Sequence, residues 1–376
     1  MNATSPDYRL LRSSFDDLPG WGEDDPRPLL AAMAACLDHI EGVKPYRTGS
    51  LGLTAADLVP LLHAAAGVTG SADAARAFFE DNTIPFRIER SDGRSGFVTA
   101  FYEPEVEVDD HPNSEWQFPF YRRPDDLVDI DDTSRPAGMD PSYMFAGRAG
   151  ESIIPYADRR EIDQGHLADC DLEIAWARSK VDVFFAHVQG AARLRYRDGA
   201  VKRITYAAKA GHPFSPVGKL LIDRGEIAPD RISMQSIRQW LADHPDQVDE
   251  ILWHNRSYIF FREADVSDPA LGPIAAAKVP LVPGRALAVD RKIHTFGYPF
   301  FIHSQTLTHL DRGKPFARLM LALDTGTAIV GPARGDIFTG SGFEAGELAG
   351  TVRNDADFYI LVPNQATNRV SAGRAG

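Results

Sequence analysis

Leu319-Met320-Leu321-Ala322-Leu323-Asp324 is an unbroken apolar run that closes on an acid and passes straight into Thr325-Gly326. A run of this length, free of Gly and Pro and bounded by a turn signal, reads as a strand buried on both faces. Two other segments repeat the pattern. Leu287-Ala288-Val289 ends on Asp290, and Asp336 stands between Gly335 and Ile337-Phe338. An acid at the end of a buried strand is rigidly held and partly desolvated, which raises its pKa toward neutrality. Turn capping is the plainer role for such acids, and Asp324-Thr325-Gly326 also suits it.

Outward from these acids the C-terminal third continues as strand, with Ser257–Glu263, Arg285–Val289, Pro299–His303, Phe316–Leu323 and Phe358–Val362 as candidates. Upstream, the first eighty residues read as helical. Thr54-x-x-Asp57 resembles a capping box, and a second helix runs from Ser71 to about Asp81 with Ala75, Phe78 and Phe79 on one face. Phe97–Tyr102 and the alternating Val106 and Val108 turn the chain to strand. Residues 109–150 read as a long irregular connection. Val183–Gln189, Arg193–Arg197 and Val201–Ala207 then read as strands, the last two joined at Asp198-Gly199, and short helices open at Ser215-Pro216 and Ser233.

The 376 residues are 44% hydrophobic and 25% charged, enough apolar side chain for a sizeable core, and the length suggests two domains or one with a large insertion. A net charge of −13 argues against a nucleic-acid surface. Cys36 and Cys170 are too few for a disulfide framework or a Cys-rich zinc site, and two buried free thiols are expected ahead of the alternative, one disulfide between them. No apolar stretch reaches the roughly 20 residues of a membrane span. Met1–Asp7 lacks the basic flank and apolar run of a secretory signal, with no lipidation Cys after it, so the chain reads as one without an address of its own. Phosphate-loop, dinucleotide, nucleophile-elbow and His-Glu-x-x-His motifs are missing; Gly340-Ser341-Gly342 reads as a turn, and the histidines show no ligand spacing. No metal or cofactor is expected. Carboxylates and aromatics remain to carry the chemistry.

Taken together, Leu287-Ala288-Val289-Asp290-Arg291, Leu323-Asp324-Thr325-Gly326-Thr327-Ala328-Ile329-Val330-Gly331 and Gly335-Asp336-Ile337-Phe338-x-Gly340-x-Gly342 resemble the three-aspartate domain of the membrane-bound lytic murein transglycosylase A family. Thr99-Ala100-Phe101-Tyr102-Glu103-Pro104 resembles the strand that leads into that family's inserted domain. His187-Val188-Gln189-Gly190, Tyr206-Ala207-x-Lys209-x-Gly211-His212-Pro213, Gly218–Glu226, Ser233–Arg238 and Ser257–Phe261 resemble the insert itself. The resemblance runs in collinear order over residues 85–363. Thr327 and Val330 stand where the family usually has Gly and Lys, and Gly190-Ala191-Ala192 replaces a Gly-Ser-Gly-like stretch.

The resemblance implies a mainly β protein with N-terminal helices: a double-psi β-barrel domain, an inserted second β-barrel-like domain, and a groove between them. Residues 1–103 would hold the helices and the first part of the barrel, 104–256 the insert, and 257–376 the rest of the barrel. It implies a lyase that cleaves the β-1,4 bond between N-acetylmuramic acid and N-acetylglucosamine without water, the muramyl C6 hydroxyl closing a 1,6-anhydro ring. One acid can then serve where a glycosidase uses two. Matched residue by residue, that acid is Asp336, with Asp324 and Asp290 as its neighbouring acids. Thr99, Tyr102, Gln189, Lys209 and Gln235 are the expected sugar contacts. Arg334 shares a face with Asp336 if the segment is extended, and is expected to point to substrate or solvent. Peptidoglycan strands are the implied partner, alongside other cell-wall enzymes, and the periplasm at the outer membrane the implied location. The alternatives are a barrel hydrolase using two carboxylates and a peptidoglycan-binding protein without activity.

Overall fold

The computed structural model describes residues 7–264, 266 and 268–372; of the stretch read for a leader, all but Asp7 lies outside them. The chain divides into two compact units, one of residues 1–102, 266–340 and 344–376, the other of 103–265 and 341–343.

The first unit carries one sheet of eight strands: β1 (Tyr8–Arg12), β2 (Thr83–Arg90), β3 (Gly96–Glu103), β4 (Ala286–Val289), β5 (Pro299–Ser304), β6 (Phe316–Asp324), β7 (Arg334–Ser341) and β8 (Arg353–Pro363). Their order is β1-β2-β8-β5-β6-β4-β7-β3, and β8 also pairs with β3, so six of the strands close into a ring. β8 achieves this by length. Arg353–Ala356 pair with β3, while its later residues pair with β5 and β2. Leu319 through Leu323 are all fully buried, as expected of a strand whose residues are apolar on both faces. Helices α1 (Arg27–Gly42), α2 (Ala55–Ala65) and α3 (Ala72–Asn82) add Leu29, Met33, Leu58, Leu62 and Phe79 to the same core. The Thr54–Asp57 capping box is formed, and Ser71 caps α3.

The second unit has a six-stranded sheet running Ile259–Ala264, Val201–Lys209, Ala191–Tyr196, Glu105–Asp109, Glu173–Ala177 and Phe118–Tyr121. A bridge between Arg122 and Phe261 joins its two ends. A three-stranded sheet of Leu127–Asp129, Phe145–Ala149 and Ser152–Ile154 lies within the stretch that reads as irregular. Strand Ile259–Ala264 pairs antiparallel with Val201–Lys209, so the second unit extends past residue 256 to 265.

Three expectations need correction. Val183–Gln189 is not a strand but most of a helix, Lys180–Gln189, capped by Ser179 and ended by Gly190 at φ 75°. Val183 through His187 are all buried, so the segment has no polar stripe to reveal its helical period. Cys170 is exposed rather than buried; it and the buried Cys36 are both free thiols. Tyr8–Arg12, within the eighty residues read as helical, is a strand that pairs with Thr83–Arg90. Among the described residues no helix is long and apolar enough to cross a membrane.

Candidate active site

The register of three strands in the first unit sets the site. Ala288 of β4 lies opposite Asp324 of β6, its parallel neighbour, and opposite Asp336 of β7, its antiparallel neighbour. Residues directly across a sheet share a face, so the two acids flank Ala288 in one row, about 10 Å apart at Cα by two strand spacings. A register shift between Leu287 and Ala288 brings Asp324 into this row. Gly335 holds the opposite face of β7; a Cβ there would come within 2.8 Å of Leu287 and 3.0 Å of the Phe358 ring. Core packing therefore fixes which way Asp336 points.

Thr99 of β3 donates its hydroxyl proton to Asp336 Oδ1, and Arg334 Nη2 donates to Thr99 Oγ1 at 2.7 Å. The other end of that guanidinium bonds the Gly335 carbonyl, and the group lies 5.5 Å from the Phe97 ring centre. Arg334 is therefore held within the protein rather than pointing to substrate or solvent. Burial raises the pKa of Asp336 despite the positive charge of Arg334 and the Thr99 hydrogen bond, both of which lower it. Asp324 is pushed up to about 6, chiefly by burial and further by Asp336, against the amides of Thr325 and Ala276 and the charge of Lys278. Ala276 N–H reaches Asp324 Oδ1 at 3.2 Å. Both acids keep partial exposure.

Asp290 is placed differently. It is 7% exposed and accepts the amides of Lys292 at 3.0 Å and Gly331 at 2.9 Å, so its two oxygens tie the turn after β4 to the loop before β7. Nearby, His294 is buried and lowered to about 4 by desolvation, its Nε2 bonded to the Pro332 carbonyl at 2.8 Å. Tyr102 is buried at the end of β3, where its ring leaves room only for Gly at position 346. Among the described residues no cluster of three or more His, Cys, Asp or Glu is placed to hold a metal ion.

Two family models match the chain. Residues 97–262 match the MltA-specific insert domain and residues 285–362 the 3D domain. Membrane-bound lytic murein transglycosylase A of Escherichia coli K12 is 32% identical over 279 residues, 73% of this chain and 68% of its own length. The chain belongs to the membrane-bound lytic murein transglycosylase A family. The crystal structure of a membrane-bound lytic murein transglycosylase from Agrobacterium tumefaciens superposes with a TM-score of 0.92 at 68% identity, covering 96% of this chain and 99% of that one. E. coli MltA with bound chitohexaose superposes with a TM-score of 0.67 at 26% identity, covering 96% of each chain.

In this family member the 3D-domain match holds Asp290, Asp324 and Asp336, and the insert match holds Thr99, Tyr102, Gln189, Lys209 and Gln235. The fold brings Thr99 to Asp336 within the first unit, although the insert match begins upstream of it. Gln189, Lys209 and Gln235 belong to the second unit, at the end of helix Lys180–Gln189, the end of strand Val201–Lys209 and the first turn of helix Met234–Asp243. Burial lowers the pKa of Lys209. Arg334 is the residue whose part in the site sequence reasoning missed. Its spacing from Asp336 gave the shared face, but only the pairing with β3 shows that Thr99 takes the guanidinium's hydrogen bond.

Proposed function

We infer that this chain is a peptidoglycan lytic transglycosylase in which Asp336 is the acid and then the base. The observation that carries the assignment is an acid raised by burial whose Oδ2 takes no hydrogen bond among the described residues and is free to face a substrate. Protonated Asp336 gives its proton to the glycosidic oxygen as the C1–O bond breaks. The muramyl C6 hydroxyl oxygen forms the new bond to C1, and its proton returns to Asp336. Atoms balance without water, and the product carries a 1,6-anhydro ring.

Asp324 is a tuning acid in this reading. Its negative charge in the same row opposes ionisation of Asp336 and keeps the proton available. Asp290 is assigned to holding its turn, since its oxygens are engaged by backbone amides. Thr99, Tyr102, Gln189, Lys209 and Gln235 are assigned to sugar contact or to shaping the surface that makes it. Chitohexaose, a β-1,4-linked amino-sugar oligomer bound by a relative, is chemistry of the same class. The closed six-strand ring supports a double-psi barrel, and peptidoglycan as substrate supports a periplasmic location. Mass spectrometry of digested sacculi tests the reaction. Anhydromuramic ends are expected, whereas reducing ends would mean hydrolysis and no products would mean binding alone.

A further inference from the structure

We propose that Arg334 is a positioning residue that acts through Thr99 to dictate which oxygen of Asp336 carries the catalytic proton. Donor and acceptor polarity sets the direction of every proton in this group. A guanidinium has only N–H donors and stays protonated. Its hydrogen bond to Thr99 Oγ1 at 2.7 Å fills one of that hydroxyl's two acceptor sites, and the guanidinium charge turns the hydroxyl proton away from itself. The partner it meets is Asp336 Oδ1. In the chain Arg334 to Thr99 to Asp336 every proton points the same way, and Oδ1 is an acceptor throughout. When Asp336 is neutral, its proton sits on Oδ2.

This polarity suits a group that must act twice. The oxygen that releases the proton to the leaving group is the oxygen that later receives one from the C6 hydroxyl, and the Thr99 bond does not have to reverse in between. Without Arg334 the Thr99 hydroxyl is free to turn and accept from a proton on Oδ1. That arrangement satisfies the hydrogen bond equally well and takes the proton away from the substrate. The Gly335 carbonyl and the Phe97 ring hold the guanidinium in place for this task.

The charged surroundings of Asp336 set the expected pH behaviour. Arg334 lies on its own strand, Asp324 lies across Ala288 on β6 with Lys278 acting on it, β3 presents the uncharged Thr99, and β4 presents Ala288. Removing Arg334 removes the one positive charge that lowers Asp336, so the acid stays protonated to higher pH and the alkaline limb of the rate profile moves up.

The test is a double-mutant cycle on the full chain, reading kcat and KM against pH with anhydro ends as product. On the acid plateau, where Asp336 is protonated in every variant, Thr99→Val is expected to lower kcat about ten- to hundredfold, the worth of a hydrogen bond to a charged group. Thr99→Ser, which keeps the hydroxyl, should recover most of that loss. Arg334→Leu should lower plateau kcat about tenfold with KM little changed, Arg334→Lys should recover part of the loss, and Arg334→Leu should cost nothing more in the Thr99→Val background. Additive losses, or a raised KM with kcat intact, would show Arg334 acting on substrate and overturn the relay. The relay rests on Asp336 as the acid. Wild-type protein that releases no anhydro ends would sink that reading, whereas additivity sinks only the relay.

Discussion

Among the carboxylates of this molecule that sit beside arginine, Glu103 in the second unit and Asp336 in the first are put to opposite uses. Glu103 is fully buried and meets its cations directly, with Arg193 Nε at 2.9 Å, Arg203 Nε at 3.4 Å and the Ser341 hydroxyl at 2.6 Å. Asp336 has an arginine two residues away on the same face, yet that guanidinium turns to Thr99, and only the threonine hydroxyl reaches the acid. Direct contact consumes a carboxylate as structure, because removing either partner strands a buried charge. A hydroxyl set between cation and acid leaves burial in control of the pKa and one oxygen open.

The comparison can be broken at four points. Asp336→Asn has the largest expected effect: loss of at least about 10²-fold in rate, the low end for general acid catalysis, with melting temperature at or above wild type. A variant that keeps a tenth of the activity would refute the assignment. Glu103→Gln should instead lower stability by about 3 kcal/mol, read by denaturant titration, because two guanidinium groups lose their counter-charge. An unchanged midpoint would mean that the cluster is not structural.

Asp324→Asn lies between these. Removing its charge makes Asp336 easier to ionise, so the alkaline limb should move to lower pH, with a smaller rate loss than Asp336→Asn. Equal losses at both positions would favour a two-acid mechanism. Stability should respond as well. With its pKa raised to about 6, native Asp324 holds a proton that the unfolded chain releases near the usual carboxylate range. Wild type should therefore lose up to about 3 kcal/mol as pH climbs through that interval, and the Asn variant should be flatter. Asp290→Ala is the smallest, about 2 kcal/mol of stability from two amides left without their acceptor, with little change in pH profile. A shifted profile there would move Asp290 into the chemistry.

Much of the first unit was legible because its strands are apolar on both faces, and runs such as Leu319–Leu323 have few other readings. The acids stood out for the same reason, each breaking an apolar run at its edge. Helix Lys180–Gln189 was not legible, because the five consecutive buried residues Val183–His187 suit a buried strand as well as a helix and only the Ser179 cap distinguishes them. The ring itself was hidden as well. That Ala288 sits opposite both Asp324 and Asp336 depends on a register shift, and no spacing along the chain encodes which strand becomes whose neighbour. Arg334 shows the limit at a single residue. Periodicity put it on the face of Asp336, but its hydrogen-bond partner arrives from β3, far away in sequence.

The split composition of the first unit also bears on how the chain acquires its shape. β2 cannot pair with β8 until the insert between them has been made, since Ile84 finds Val362 and Phe86 finds Ile360 across it. Residues 103–265 are continuous and wait only for the short return of 341–343. On a ribosome the insert can therefore condense while β2 and β3 still lack β8. Closure of the ring, and with it assembly of Thr99 against Asp336, waits for β8, whose residues follow all the other strands of the sheet.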